Sequence, residues 1–168
     1  MRPVRVLANL ALLAAMAGGA LAQSSGTLKG QLVGTWVHVI SEITAPDGKK
    51  SLPFGDTPNG ILIFAPSGHF AQIHIASDVP KFASNNRLKG TPEEYTAVSQ
   101  RSLSIFGTYT VDEEKRTVTF KITSATFPNM TGEVQTRTIE TLTADEFKNT
   151  TAVAGGRGSA FNLYKRAK

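Results

Sequence analysis

The 168-residue chain contains no cysteine. That excludes disulfide staples, thiol catalysis and cysteine-ligated metal, and leaves stability to the core and the backbone ladder. Histidine is scarce, with three copies at His38, His69 and His74, and Trp36 is the single tryptophan. Acids are few where they would matter. Of 13 Asp and Glu residues, all but Glu42, Glu133 and Glu140 fall in expected turns or at a helix start. Nothing pairs these three, which speaks against a two-carboxylate hydrolase. No Gly-x-Ser-x-Gly elbow occurs. Gly155-Gly-Arg-Gly158 lacks the lysine and spacing of a phosphate loop and reads as a turn. No cofactor motif and no catalytic constellation emerge.

The net charge is +5, but the basic residues are scattered, the longest clusters being Lys49-Lys50 and Lys165-Arg166. A nucleic-acid binder gathers such charges into a patch, so no nucleic-acid partner is expected. Long apolar runs are also missing, with one exception. Val6 to Ala17, preceded by Arg2 and Arg5 and followed by Ala20-Leu21-Ala22, has the layout of a signal peptide. Twelve residues are too few to span a bilayer. Residues 1–22 are expected to be cleaved after Ala22, leaving no stable membrane anchor and a periplasmic or secreted chain from Gln23 to Lys168. Loss of Arg2 and Arg5 lowers the net charge from +5 to +3.

What is present is short-period alternation. After a polar leader over 23–27, Leu28 to Leu32 is expected to form one turn, followed by a strand over about Gly34 to Ile43. Glycine two residues before Trp36 lets the backbone come close where a sheet begins, so the indole can plug one end of a closed sheet. Ala45-Pro-Asp-Gly48 is a turn in which proline presets one dihedral and Gly48 supplies positive φ. A Pro/Gly-rich link over Pro53 to Gly60 leads to a hairpin, Ile61–Phe64 and His69–Ala76, around Ala65-Pro-Ser-Gly68. Thr91-Pro92-Glu93-Glu94 is a capping box with proline at the first helical position, predicting a helix to about Leu103. Its thin apolar stripe, Tyr95 and Val98, implies that it lies on the domain rather than forming its core.

Period 2 then returns. Strands are predicted over Gly107–Val111, Thr117–Ser124, Glu133–Leu142, Glu146–Ala152 and Ser159–Lys165. Eight or nine short strands at this spacing indicate a sandwich or barrel.

These motifs resemble the bacterial and fungal lipocalin-like domain proteins, whose fold is a calycin-type barrel. The residues that carry the resemblance begin with Leu32-Val-Gly-Thr-Trp36, Asp47-Gly48, Pro53-Phe-Gly-Asp-Thr-Pro-Asn-Gly60 and Gly68. Phe106-Gly-Thr-Tyr-Thr-Val-Asp112, Pro128-Asn129, Gly132, Gln135, Arg137 and Leu163-Tyr-Lys-Arg166 complete the set. The match spans nearly all of 28–167. Two positions depart from the family pattern: Met130 stands where an aromatic is common, and Val118-Thr-Phe-Lys121 lacks a histidine often found there. The resemblance implies an all-β, up-and-down antiparallel barrel over 28–168, with one short α-helix between the fourth and fifth strands and a small-molecule cavity.

If Trp36 points inward, His38 and Ile40 follow it by period 2. His69 and His74, five apart, face opposite sides of one strand and cannot form a same-strand metal pair; no metal site is expected. The histidines read as one lumenal contact and two rim or surface residues. Lumen candidates are Trp36, His38, Phe64, Phe70, Phe106, Tyr109, Phe120 and Arg137. Barrel-closing candidates are Gly34, Trp36, Arg137 and Arg166. Either arginine could stack on Trp36 or meet a ligand carboxylate. The rings could also simply fill the barrel. The expected function is binding or carriage of a small apolar or amphipathic molecule. The alternatives are an isomerase- or cyclase-type enzyme using His38 or Tyr109 as proton shuttle, and a ligand-free structural or stress-related envelope protein. The two sequons, at Asn129 and Asn149, are expected to be bare.

Overall fold

The computed structural model describes residues 26–153 and 156–168. The expected signal peptide, residues 23–25 of the leader and Gly155 lie outside the described residues. The elements run α1 (Leu28–Leu32), β1 (Gly34–Thr44), β2 (Lys50–Ser51), β3 (Asn59–Phe64), β4 (His69–Ile75) and α2 (Pro92–Arg101). They continue with β5 (Ser102–Asp112), β6 (Thr117–Ala125), a 3-10 turn (Pro128–Met130), β7 (Val134–Leu142), β8 (Glu146–Ala152) and β9 (Ser159–Arg166). Each long strand pairs antiparallel with the next, and β1 pairs with β9. Eight strands thus close into an up-and-down barrel with no free edge. The two-residue β2 adds to β1 through Ile43↔Ser51 and Thr44↔Lys50.

Helix α2 begins as its sequence dictates: the Thr91 hydroxyl accepts from Glu94 N–H, and the Glu94 carboxylate accepts from Thr91 N–H at 2.8 Å. It ends two residues earlier than predicted. Ser102 is already extended, because Leu103 and Ile105 belong to the inward face of β5 and pack on the core. β5 therefore starts at Ser102 rather than at Gly107. No α2 residue is buried, as its thin stripe implied.

A bulge changes which residues of β1 face in. Between His38 and Ile40 the β1–β9 register slips, so Ser41 is buried and Ile40 is not, contrary to the expected alternation. A second slip, opposite Phe106 and Gly107, skips Thr123 of β6 and a third lies between Ile139 and Thr141 of β7, while β5 itself alternates without interruption. Phe106 is 52% exposed on the outer wall, which removes it from the lumen. Three residues separate it from inward Tyr109, an odd number, so the two rings could not share a face.

One end of the barrel is closed and apolar. Leu28 and Leu32 of α1 sit over Trp36, Leu62, Phe64, Phe70, Tyr109, Phe120 and Phe147. The Glu113 carboxylate holds α1 in place by accepting from Leu28 N–H at 2.7 Å and Lys29 N–H at 3.1 Å. The other end is framed by α2, the 3-10 turn and the 52–58 loop, and it carries the polar groups.

Candidate functional site

At the closed end, Trp36 is fully buried and donates from its indole N–H to Leu32 O at 2.7 Å. Arg166, its cross-strand partner on β9, stacks on the ring at 4.0 Å. The same guanidinium donates to Val33 O at 3.0 Å, to Ala144 O at 2.6 Å and to Gln31 O. It thereby ties α1 to the β7–β8 turn. Gly34 permits this: its φ is +128°, and a Cβ there would lie 2.8 Å from Arg166 Nη1. Gly34, Trp36 and Arg166 form the barrel-closing set, and Arg166 is the stacking arginine. Arg137 is not part of it. Its guanidinium lies over Phe120, 4.4 Å from the ring centre.

The other half of the lumen is polar. Strand register brings the groups together: His38↔Tyr164 and Ser41↔Asn162 across β1–β9, and Asn149↔Asn162 across β8–β9. Ser41 Oγ donates to Asn162 Oδ1 at 2.6 Å, and Asn162 Nδ2 donates to Asn149 Oδ1 at 3.2 Å. With the serine proton spent, the 2.8 Å contact between His38 Nε2 and Ser41 Oγ requires Nε2 to be the donor. His38 Nδ1 then carries a bare lone pair, and it has no partner.

His38 and His74 stack face to face, 3.8 Å apart and 13° from parallel. Two lumenal histidines are therefore present, where one was expected; His69 is exposed at a strand start. Close approach depends on Gly60, where a Cβ would fall 2.3 Å from Ile73 O and 3.1 Å from His38 Cβ. His74 Nε2 shares a 2.9 Å hydrogen bond with the Tyr164 hydroxyl. Burial pushes His38 down to about 4, only partly opposed by the nearby Ile40 backbone. Burial first, then the nearby His38 and Arg137, hold His74 well below the usual imidazole range. Both rings are neutral at pH 7. Burial raises Tyr164 to about 12, with Arg137 opposing.

Arg137 is the one charge in this cluster. Its Nη1 donates to Gln72 Oε1 at 2.8 Å and its Nη2 to Gln135 Oε1 at 3.3 Å, and it also hydrogen-bonds Tyr164. Nε has no partner. Burial lowers its affinity for the proton.

Phe54, from the 52–58 loop, covers the cluster edge-on, 5.9 Å from His38 and 5.0 Å from His74. Its other side lines an open cleft of about 470 Å³ with Tyr95, Val98, Leu103, Phe127 and Met130. Sequence reasoning placed Trp36, His38, Phe64, Phe70, Tyr109, Phe120 and Arg137 in the lumen, and all seven are buried. The rings among them line the closed half; only His38 and Arg137 belong to the polar cluster. Tyr109 donates to Ala65 O at 3.0 Å, far from the histidines in the fold. Ser41, Phe54, Gln72, His74, Asn149, Asn162 and Tyr164 were not anticipated as site residues. A signal existed: Asn149 shares the inward phase of Phe147, Asn162 that of Tyr164, and Gln72 and His74 that of Phe70. Asn149 is fully buried, so this sequon is closed to solvent.

A family model described as a lipocalin-like domain matches residues 33–162. No curated protein matches the chain. Among solved structures, a de novo designed fluorescence-activating β-barrel is 14% identical, with 80% of this chain and 93% of that one covered and a TM-score of 0.44. A redesigned β-barrel is 16% identical, with 87% and 99% covered and a TM-score of 0.44. With its closed eight-strand barrel and a family model that covers most of its length, the chain belongs to the lipocalin-like domain family.

Proposed function

We propose that the protein is an exported carrier that binds a small amphipathic molecule at the open end of its barrel. The observation that carries this reading is the double role of Phe54. One side of its ring lines an apolar cleft, and the other covers a buried polar cluster. A ligand with an apolar body and a polar head matches that order of surfaces. Pockets of a few hundred Å³ with apolar walls and a few convergent polar groups are the usual form of small-molecule sites. The closed half of the lumen is filled by rings, which limits the site to the half nearer α2. Displacement of Phe54 admits the head, while Tyr95, Val98, Leu103 and Phe127 hold the body.

The test is native mass spectrometry of protein purified from its own host. A reproducible small-molecule adduct, displaced by 1-anilinonaphthalene-8-sulfonate and weakened in Phe54→Ala, supports the carrier. Bare protein that also fails to bind the dye saturably contradicts it. One observation favours a second reading. The bare Nδ1 of neutral His38 is in the form a general base requires, which fits an isomerase or cyclase acting on the same ligand. His38→Gln would then abolish turnover and leave binding intact.

A further inference from the structure

We infer that the head group of the ligand is a carboxylate and that Arg137 recognises it. The inference rests on the binding reading above and adds the charge and shape of the ligand's polar end. Arg137 is 4% exposed, yet none of the ion pairs among the described residues includes it. Its hydrogen-bond partners, Gln72, Gln135 and Tyr164, are all neutral, as is the Phe120 ring beneath it. Taking a guanidinium out of water without a counter-charge is costly, and proteins normally offset that by pairing the ion. Here the lumen supplies none. The remaining nearby groups, His38, His74, Asn149 and Asn162, are also uncharged.

The arginine keeps donors to spare. Gln72, Gln135 and Tyr164 engage three of its five N–H groups, and Nε is unpartnered. Nε with a free Nη proton is the planar fork that matches the two oxygens of a carboxylate. The Asn149 amide nitrogen is a second buried donor without a partner. The bare Nδ1 of His38 repels an anion, so the head settles at Arg137 rather than at the histidine pair. The two glutamines anchor one terminal nitrogen each and fix the plane of the guanidinium before the ligand arrives.

The experiment is calorimetric titration of the intact exported protein at pH 7.5 with decanoate, decanol and decyltrimethylammonium, which share one chain length and differ in head. Decanoate is expected to bind at least about tenfold tighter than decanol, and the cation most weakly. Arg137→Met should bring decanoate to the level of decanol, and Arg137→Lys should keep a reduced preference. Equal affinity for decanoate and decanol in the native protein overturns the carboxylate assignment and leaves the binding reading standing. A preference that survives in Arg137→Met does the same. If none of the three binds, both fall. Should Arg137→Met not fold, the head-group series and Arg137→Lys still decide.

Discussion

Replacement of Trp36 by alanine tests the closed end of the barrel. The indole is fully buried, bonded to Leu32 O at 2.7 Å, packed 5.7 Å from Phe147 and covered by Arg166 at 4.0 Å. Truncating a buried aromatic to alanine costs about 3–5 kcal/mol. Within that sum, the orphaned Leu32 carbonyl accounts for about 1 kcal/mol and the lost cation–π contact for about 1–2 kcal/mol. Against a total of about 5–15 kcal/mol for a domain, the variant should be near the edge of folding. Urea unfolding followed by far-UV circular dichroism measures it, since the variant has no tryptophan. A cycle with Arg166→Met should return a coupling of about 1–2 kcal/mol. In the native protein, Trp36 emission should be blue-shifted and resist iodide. A loss under about 1 kcal/mol, with zero coupling, would refute the plug.

Acid should weaken the fold through the stacked histidines. Their folded pKa values lie below the ordinary 6.5, His38 at about 4, so the unfolded chain binds more protons between those limits. The stability they protect is complete above pH 6.5 and is lost as pH falls toward 4, by up to about 1.4 kcal/mol per pH unit for each proton taken up. Urea midpoints across pH 4–8 check this, and His74→Gln should flatten the slope. Gly60→Ala drives a methyl against Ile73 O and His38, and should cost about 1–3 kcal/mol by overpacking, read from the same unfolding curves. The intact mass of exported protein should correspond to a chain starting at Gln23; a full-length mass in the membrane fraction would show a retained anchor.

Much of the fold was legible because it is local. Period 2 placed the strands, and the Thr91–Glu94 box placed α2. The spacing of Gly34 and Trp36 at the start of β1 placed the plug. Parity also put Arg137 in the lumen. It failed at Ile40, beside a bulge that reverses the phase of β1; Phe106 was assigned to the lumen against the unbroken alternation of its own strand, which turns Ile105, Gly107 and Tyr109 inward. The choice between Arg137 and Arg166 for the indole needed the β1–β9 register, which pairs Trp36 with Arg166. The polar cluster was hidden for the same reason. His38, His74, Arg137 and Tyr164 come from β1, β4, β7 and β9, and only closure of the barrel brings them together. Phe54 sits in a Pro/Gly-rich loop whose sequence specifies a turn and not the surface it covers.

A crystal structure of the protein with 10-bromodecanoate, phased on bromine, tests the central claim most directly. The account predicts one ordered molecule with its carboxylate against Arg137, Phe54 moved aside and the bromine peak in the cleft between Tyr95, Val98 and Phe127. A bromine peak confined to the outer wall, with Phe54 still seated on His38 and His74, would contradict it.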